Sequence, residues 1–520
     1  MAVRTYTNFS GGLNTFEGAF ASPIILDQGA TEALAYAEDS QNWNMSEAGL
    51  QGEPGYVAIL ASAVSGTPVI TGEWDFNGTH IMCAGTKVYT VDGTTATEIY
   101  PAGGGGSAQT VGAFYQFTEY DDGSGNRIVV LCNGVDKPLI YNGTTCVQMS
   151  ATDPSTIWND ARPSFSWPWR GSLLFGGDPT HPYRIYKPRP GTYNNFDNTL
   201  GTVDAFDVDS GFGGKVTGIR DFSNNFLVIY KERAIRRLSG SQPFGATTDP
   251  YSLLSLTSAY GCVAPRTLVG NDLNHFFLSE EGYKALYPTL TYGDADPSDP
   301  TYKIQDLVNG WNWSAISNAC AVYDKTNKKI WLSVPNGASS TNNKIYHYKL
   351  VTKGLDPRGD GDIKAACLAY VNRGVNHGDY GGQIYRHGSV NNYNGTIISR
   401  LWTSKIIVHG SLGQLKKYTD LVLFADANAG GDIVVQWQIL KIDMFKTGSA
   451  TQQISDGSNA FDVAKWDQAL WATGNQKILR INNLGKGHAI VLKFINASDS
   501  QLPKIRMVEL WYDTAGNVNG

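Results

Sequence analysis

The sequence has 520 residues and a formal net charge of −6, and only 17% of its residues are charged, whereas 58 are glycine and 12% are aromatic. This length exceeds what one hydrophobic core usually serves, so two or more modules are expected. The composition excludes a helical bundle, which is richer in charged helix formers, and the acidic balance argues against a protein that grips nucleic acid through a basic patch.

Two features concern the cellular compartment. No apolar run is long enough to span a bilayer, and the N-terminus MAVRTYTNFSGGLN lacks the apolar stretch of a signal peptide, so we expect a soluble protein made in a cytoplasm. The cysteines lie far apart without a CxxC pair, which predicts buried, reduced thiols rather than disulfides or a zinc site. They are Cys83, Cys132, Cys146, Cys262, Cys320 and Cys367.

The first segment, residues 1–68, is predicted to be an N-terminal arm. Gln28–Asn44 has a helix-forming composition but is short, so a short helix or an irregular arm is expected there. The stretch Gly49–Gly55, GLQGEPG, is rich in turn residues and leads into a β region.

From residue 69 to residue 395 one pattern recurs: an apolar strand, a few turn residues, and a second strand that carries an Ile-Tyr-like pair. Successive copies start about 45–55 residues apart, which is typical of one four-stranded propeller blade. One hairpin cannot bury its apolar face alone, whereas a ring of them buries each face against the next, so we predict a β-propeller of six to seven blades. A seventh blade would be completed by the chain near Gly381 pairing with an early strand. The copies are Gly78–Asp92, Asn126–Gly143, Arg170–Lys187, Asn225–Gly240, Asp272–Tyr287, Lys328–Leu350 and the weaker Gly381–Tyr385.

After Thr396 the sequence pattern changes: the predicted strands are longer, and their apolar residues alternate or run continuously. Their spacing predicts a separate antiparallel, sandwich-like domain over residues 396–520. The predicted fold class is therefore all-β: a propeller followed by a C-terminal β domain, with a short irregular N-terminal arm.

Patterns that would indicate catalysis or metal binding are weak. Asp294–Pro300 carries oxygen ligands at alternate positions but lacks the glycine and the closing glutamate of a calcium loop, so a solvated acidic turn is expected. Arg358-Gly359-Asp360 is interpreted as an ordinary turn. The sequence has no GxSxG elbow, HExxH helix, phosphate-binding P-loop or sialidase signature. We therefore predict no catalytic residue, no metal and no cofactor, and a protein that is not an enzyme.

Two local clusters are candidate contact sites. Trp167 and Trp169 lie beside a blade start, either as surface aromatics that stack on sugars or as large side chains that fill the seam between blades. The basic run at residues 231–237 contributes Arg233, Arg236 and Arg237. Strand alternation sends Arg236 to one face and the other two to the opposite face, which favours salt bridges to the next blade or the next subunit over a phosphate-binding stripe.

Several stretches resemble a known family. Phe9–Asn14, FSGGLN, and Gly49–Gly55 resemble the opening of tail-hub proteins of short-tailed bacteriophages, which include the nozzle or tubular B-type proteins and the packaged-DNA stabilisation proteins. Members of that family often carry a basic residue where this chain has Glu53. The stretches similar to successive blades of the family are Phe226–Leu238, Tyr260–Pro265, Phe277–Tyr283, Val322–Asp324, Ile330–Val334 and Ile345–Tyr348.

The resemblance implies a structural virion protein, made in the host cytoplasm, that forms a ring of identical subunits, commonly six. Such a ring closes the tail as a nozzle or hub beneath an adaptor protein and conducts double-stranded DNA during ejection. Tail fibre or needle and plug proteins and the host cell envelope are the further partners implied. Phe9, Leu13 and Asn14, with the three arginines, are then candidate contacts to neighbouring subunits or the adaptor. An acidic lining would repel phosphates and keep the passing DNA from sticking.

Two other functions remain open at this point. One is a host-glycan-binding propeller of the tail that uses aromatic clusters such as Trp167 and Trp169. The other is a glycan-cleaving propeller enzyme, which would need two carboxylates at a defined separation, usually near the propeller axis.

Overall fold

The computed structural model describes residues 2–15, 24–26, 36–101, 106–121, 124–151, 157–196, 205–222, 226–241, 244, 247–271, 274–288, 295–360, 363–426, 432–441, 445–453, 476–498 and 502–514. Short helical turns interrupt the strands, and none of the described helices is long and apolar enough to cross a membrane. The α-helical turns are Ile157–Asp160 and Gln305–Asn309, and the 3-10 turns are Pro265–Thr267, Tyr302–Ile304 and Trp313–Asn318.

Seven four-stranded antiparallel units, here called blades 1 to 7, form the first module. Blade 1 consists of Ile70–Phe76, Thr79–Ala84, Lys87–Asp92 and Thr95–Tyr100, and blade 2 of Gln116–Asp121, Arg127–Cys132, Leu139–Tyr141 and Cys146–Gln148. Blade 3 consists of Phe165–Trp169, Ser172–Gly176, Arg184–Tyr186 and Ala205–Asp207, and blade 4 of Val216–Phe222, Phe226–Lys231, Ile235–Ser239 and Ser252–Thr257. Blade 5 consists of Val269–Asn271, Asn274–Ser279, Gly282–Pro288 and Ala295–Ser298, and blade 6 of Cys320–Asp324, Lys329–Val334, Lys344–Lys349 and Leu355–Asp360. Blade 7 consists of Cys367–Val371, Gly374–Gly378, Ile384–His387 and Tyr56–Ala58.

The first strands of neighbouring blades contact one another at six of the seven junctions, including that of blade 7 with blade 1, and blades 4 and 5 share a buried apolar cluster, so the ring is closed. The recurring sequence pattern corresponds to the second and third strands of each blade. The predicted propeller is therefore confirmed, with seven blades.

The continuous apolar runs of the middle strands follow from burial on both faces. In the second strand of blade 4, Leu227 and Ile229 pack in a cluster with blade 3, whereas Val228 and Tyr230 pack in a cluster with blade 5. Because successive side chains of a strand point to opposite faces, both sets must be apolar. Burying one such Leu or Ile side chain contributes about 1.5–3 kcal/mol.

The ring closes by pairing an early strand with the last blade. His387, Arg386 and Tyr385 pair antiparallel with Tyr56, Val57 and Ala58, respectively. The expected completion of a seventh blade by an early strand is confirmed. The closing strand follows Gly55 directly, so the turn-rich stretch at Gly49–Gly55 delivers it to its place.

The second module consists of two sheets that face a common core. Trp402 and Phe494 of one sheet belong to the same buried cluster as Leu423 and Leu510 of the other, which also extends to blades 5 and 6. Strands of the first sheet are Phe445–Gln453, Asp432–Leu440, Ala489–Ser498, Thr396–Ser404, Ile407–His409, Tyr36–Gln41, Gly12–Leu13 and Ile24–Leu26, joined to blade 7 through Asn392–Tyr393. Strands of the second sheet are Gln476–Gly487, Lys416–Asp426, Lys504–Thr514, Gly49–Gly52, Trp43–Ser46 and Ala2–Tyr6.

The early residues are thus woven into the C-terminal sheets. Ala2–Tyr6 pairs with Lys504–Thr514, and Tyr36–Gln41 pairs with Thr396–Ser404. The described end of the stretch Gln28–Asn44 is therefore strand rather than helix, because it pairs with Thr396–Ser404 of this sheet. Its residues 28–35 lie outside the described part of the chain.

Two expected turns are outer strands of blades. Arg358-Gly359-Asp360 belongs to the fourth strand of blade 6, where Arg358 is 1% exposed. Ala295–Ser298 is the fourth strand of blade 5, while Asp294 lies outside the described residues. Local composition indicated turns at both places, but both segments form strands because they pair with the preceding strand of their blade.

Candidate functional site

The candidate contact residues near the N-terminus lie inside this chain's own core. Phe9 and Leu13 are buried, and the Phe9 ring packs edge-on against Trp402 at 5.6 Å between centroids. Asn14 is also buried, and its backbone N–H donates to the Ala37 carbonyl at 3.0 Å. A role as surface contacts for a subunit or an adaptor is therefore wrong for these three residues, because they are buried beside Trp402 and the strand Tyr36–Gln41.

Arg236 and Arg237 are successive residues of the third strand of blade 4 and lie in different environments, whereas Arg233 precedes that strand. Arg236 is buried, its Nε donates to Asp209 in the connector that follows blade 3, and its Nη1 donates to Ser255 Oγ at 2.7 Å. Arg237 is half-buried over the Phe226 ring, and Arg233 is exposed. Arg236 thus makes an ion pair within the chain, whereas Arg233 remains a candidate for contact with another subunit.

The tryptophan pair does not form a surface. Trp169 is 1% exposed and packs between blades 3 and 4. Its prediction as a surface aromatic is therefore wrong. Trp167 is half-buried, donates from Nε1 to Asp221 Oδ1 at 2.8 Å, and carries the Arg220 guanidinium on its ring.

The structure gathers an unpredicted group of ionisable side chains at the junction of the early chain, blades 6 and 7, and the C-terminal sheets, here called the closure cluster. At its centre is Glu53, which is buried. Lys329 Nζ donates to Glu53 Oε1 at 3.0 Å, His347 Nδ1 lies 3.5 Å from the same oxygen, and Arg358 Nη1 lies 3.9 Å from Oε2. Glu53 thus connects the early segment to three strands of blade 6.

The electrostatics of Glu53 follow from this setting. Burial alone would raise the pKa of its carboxyl, but Lys329, the hydrogen bond from His347 and Arg358 together hold that pKa well below its ordinary value. The Glu53 side chain is therefore an anion among cations in a desolvated place. Such a pair is strongly destabilising to break, because the remaining partner is left buried and uncompensated.

The remaining hydrogen bonds of the cluster go to backbone carbonyls of the same early segment. Arg358 donates to the Pro54 carbonyl, and Arg400 of the C-terminal module donates to the Glu53 carbonyl at 3.2 Å. Arg400 is fully buried and also donates to Asn496 Oδ1 at 3.0 Å. Both modules therefore hold residues 53–54 through guanidinium groups, whose several donors suit this role.

A neighbouring ion pair repeats the arrangement two positions along the same strands of blade 6. Lys349 pairs with Asp356 and donates to the Met45 carbonyl, while the Met45 N–H reaches Asp356 Oδ2 at 3.4 Å. All three groups are buried. This second pair attaches the strand Trp43–Ser46 to the edge of blade 6.

Buried aromatic and imidazole rings complete the closure cluster. Burial lowers the pKa of His347 to about 3 and of His377 to about 3, so both are neutral at physiological pH. His377 Nδ1 lies 2.7 Å from His387 Nε2, and Trp331 packs against His347 at 3.9 Å between centroids. The Tyr56 ring packs edge-on against His377 at 5.0 Å. These imidazoles pair with each other and with aromatic rings, which indicates a structural role.

A cavity of about 520 Å³ adjoins the closure cluster, lined by residues of the early segment, blades 6 and 7 and the C-terminal module. Its lining is rich in charged and amide side chains, several of which bond to the protein: Glu53, Asp324, Lys329, Arg358 and Arg386. Chemically, the arrangement fixes the early chain between two modules.

Sequence reasoning missed this group because its members are distant along the chain. Glu53 and Lys329 are separated by 276 positions, and no spacing rule joins them. One signal was present: His347 and Lys349 occupy positions inside a strand whose neighbours are all buried. Polar residues in such a run require partners.

The propeller axis forms a second, smaller cavity of about 140 Å³. Among the described residues that line it, Glu73 is the only carboxylate, and Arg220 and Arg266 are the cations. The Arg266 guanidinium lies 3.7 Å from the Phe114 ring centroid and donates to the carbonyls of Ala366 and Asn318. Side chains therefore fill most of the axis.

Comparison with known proteins gives no family model and no curated relative that matches this chain. Among solved structures, PorZ, a surface component of the type-IX secretion system of Porphyromonas gingivalis, is 11% identical with a TM-score of 0.40, over 86% of this chain and 65% of that one. The extracellular domain of a hybrid two-component system protein from B. thetaiotaomicron is 10% identical with a TM-score of 0.39, over 82% and 60%. An exo-β-1,3-galactanase from Phanerochaete chrysosporium is 10% identical with a TM-score of 0.27, over 70% and 98%.

This chain spans less than two thirds of the two bacterial surface proteins. All three similarities are too weak to bear on function. The assignment of the fold rests on the seven blades and their closure in this chain.

Proposed function

We propose that this chain is a structural virion protein, the subunit of a tail nozzle or hub ring that conducts the genome of a short-tailed phage. The observation that carries the proposal is where the family-like motifs lie. The stretch FSGGLN places Phe9 on Trp402, and GLQGEPG supplies Glu53 to the closure cluster and delivers the closing strand of blade 7. The two early motifs that resemble tail-hub proteins thus join the propeller to the C-terminal module.

The way in which the chain ends are held supports a role as a rigid ring segment. Ala2–Tyr6 pairs along its whole length with Lys504–Thr514, near the other end of the described chain. Early strands also enter blade 7 and both C-terminal sheets. A ring of heterologous contacts that resists internal pressure needs subunits whose modules do not move apart.

The axis geometry locates the DNA path in this proposal. Arg266 crosses the propeller axis to carbonyls beside blades 6 and 7, so duplex DNA does not fit through the propeller itself. The channel would lie between subunits, with propellers as its wall. A net charge of −6 is compatible with weak contact between that wall and phosphates.

Native mass spectrometry and negative-stain imaging of the purified full chain test the proposal. We expect closed rings, commonly of six copies, around an open channel, and the chain should be found in purified virions. A protein that stays monomeric at every concentration and does not associate with an adaptor would contradict it.

A second candidate, glycan binding, is favoured by a groove on the outer face of the C-terminal sheet. Its volume is about 550 Å³, and a row of Ser449, Gln436, Lys493 and Thr403 crosses four paired strands along it. Amide and hydroxyl groups suit the hydrogen bonding of sugars. A glycan array probed with the wild-type chain and with Gln436→Ala tests it, and signal that is absent or insensitive to this substitution would reject it.

A further inference from the structure

The axial cavity contains two guanidinium groups that lack a carboxylate partner. Arg220 comes from the first strand of blade 4, and Arg266 from the 3-10 turn that precedes blade 5. In the described part of the chain, neither lies within ion-pairing distance of an acidic side chain. Each cation therefore enters the interior without the counter-charge that buried charges ordinarily require.

The contacts of Arg220 leave most of its donors unused. Its Nη2 donates to the Leu268 carbonyl at 2.9 Å, and its guanidinium carbon lies 4.5 Å from the Trp167 ring centroid. Its Nε is buried and has no hydrogen-bond partner among the described residues. A guanidinium carries five N–H donors, so several remain for a ligand in the cavity.

The neighbouring acids are engaged elsewhere. Glu73 Oε2 accepts from His80 Nε2 at 2.9 Å, and its Oε1 lies 3.8 Å from the Cys367 thiol, which donates to it. Asp221, which adjoins Arg220 in sequence, accepts from Trp167 Nε1. Both carboxylates thus have hydrogen-bond partners of their own. Asp221 offsets part of the Arg220 charge electrostatically, and two cations still face one carboxylate among the described residues that line the cavity.

The desolvation of Arg220 supports the same conclusion. Burial lowers the pKa of its guanidinium to about 10, which still leaves the group charged at neutral pH. A desolvated cation such as Arg220 is stabilised more strongly by an anion than by neutral neighbours. Aromatic faces, such as Trp167 under Arg220 and Phe114 under Arg266, stabilise a cation only partly.

We propose that the propeller axis is a binding site for a small oxyanion, held by Arg220 and Arg266. The ligand class is set by the guanidinium fork, which matches the oxygens of phosphate and of carboxylate. The cavity, about 140 Å³, has room for several waters or one small anion. Its occupant links blades 4 and 5 across the axis, a role that is independent of the proposed place in a virion.

Isothermal titration calorimetry of the full chain tests the proposal, with inorganic phosphate in one arm and acetate in the other, at an ionic strength kept constant with chloride. We expect one site per chain for at least one of the two anions. Arg220→Met and Arg266→Met should each weaken that binding about tenfold or more, as the loss of a charge-assisted hydrogen bond predicts.

Arg184→Met is the matched control, since Arg184 forms an exposed pair with Asp207 on the rim of blade 3 and should bind the anion like wild type. Binding that is unchanged in both axial variants would overturn the proposal. If those variants do not fold, Arg220→Lys and the wild-type titration decide, and absence of binding tighter than about 10 mM for both anions would overturn it as well.

Discussion

Arginine side chains lie inside the propeller in two places, buried at the closure cluster and half-buried at the axis, and they differ in what neutralises them. At the closure cluster, Arg358 lies near the carboxylate of Glu53 and donates to the Pro54 carbonyl. At the axis, Arg220 and Arg266 have carbonyl oxygens and aromatic rings but no carboxylate among the described residues. The charge of the first group is neutralised by a carboxylate of the chain itself. The charge of the second group leaves room for an anionic ligand.

The difference shows how a closed ring uses buried charge. Glu53 lies just before the closing strand of blade 7, so its ion pairs with blade 6 fix the segment that leads into that strand. A buried ion pair contributes little net stability compared with apolar packing, but it penalises every arrangement in which one partner is missing. The closure cluster therefore specifies the position of the early chain, while the axial arginines are fixed by strands of the ring.

The largest effect is expected from Glu53→Gln, which keeps the side-chain shape and removes its charge. Lys329 and Arg358 would then be buried without an anion, and the free energy of unfolding should fall by about 3–5 kcal/mol. Equilibrium urea unfolding measures the change. The exposed Asp207→Asn is the control and should stay within about 1 kcal/mol of wild type. Equal effects of the two substitutions would mean that Glu53 does not hold the closure.

The contrast between the two arginine environments is tested by the same substitution at each. Arg358→Met leaves Glu53 short of a cation and should cost about 2–4 kcal/mol, since it breaks a buried pair. Arg220→Met removes an uncompensated charge and, in chloride buffer without oxyanion, should change stability by less than about 1 kcal/mol or raise it. Thermal unfolding in that buffer distinguishes them, and a larger loss for Arg220→Met would contradict the comparison.

Steric fit at the closure gives the next prediction. A β-carbon on Gly55 would lie 1.7 Å from the Asn392 carbonyl oxygen, and the Gly55 N–H donates to the Val390 carbonyl at 2.7 Å. Gly55→Ala should therefore displace the closing strand and cost about 1–3 kcal/mol, with faster proteolysis between residues 50 and 60. Gly413→Ala, at an exposed glycine with open space around it, is the control. Proteolysis at the wild-type rate would show that the strand tolerates the shift.

The blades were predictable because they depend on local pattern. The strand Phe226–Lys231, for example, is buried throughout and apolar up to Tyr230 because each face meets another blade, and a similar apolar run recurs in the other blades. The pairing of Tyr56–Ala58 with Ile384–His387 was also anticipated, because a ring of hairpins requires a closing strand.

The rest depended on contacts between distant residues. Phe9, Leu13 and Asn14 are expected at a surface if only the glycine-rich motif around them is considered, yet strands from the C-terminal module cover them. Trp169 had two interpretations, and burial in the seam between blades 3 and 4 selected one. Neither the closure cluster nor the axial arginines could be derived, because their members meet only through the curvature of the ring.

The smallest expected effect is the pH dependence of stability that His347 causes. It tests whether the charges of the closure cluster stay balanced as the pH falls. Burial lowers the pKa of His347 to about 3 in the folded chain, whereas an unfolded histidine titrates near pH 6.5. Between these values the unfolded state binds more protons, so stability falls as pH falls from about 6.5, and the loss per histidine is about 1 kcal/mol between pH 7.5 and 5.5. Glu53, whose pKa is lowered, loses its contribution only below the ordinary carboxyl range, outside this interval. His347→Phe should keep the contact with Trp331. Its free energy of unfolding should fall less than that of the wild type between pH 7.5 and 5.5, by about 1 kcal/mol.

Nuclear magnetic resonance of histidine-labelled protein measures the cause directly. The His347 ring signals should not titrate between pH 7.5 and 5.5, because a proton there would add a further cation beside Lys329 and Arg358. A titration midpoint of His347 near pH 6.5 would mean that the site beside Glu53 accepts another positive charge without a free-energy cost. The closure would then resemble the axis, with capacity for charge of the opposite sign, and the distinction between a compensated and an uncompensated site would fail.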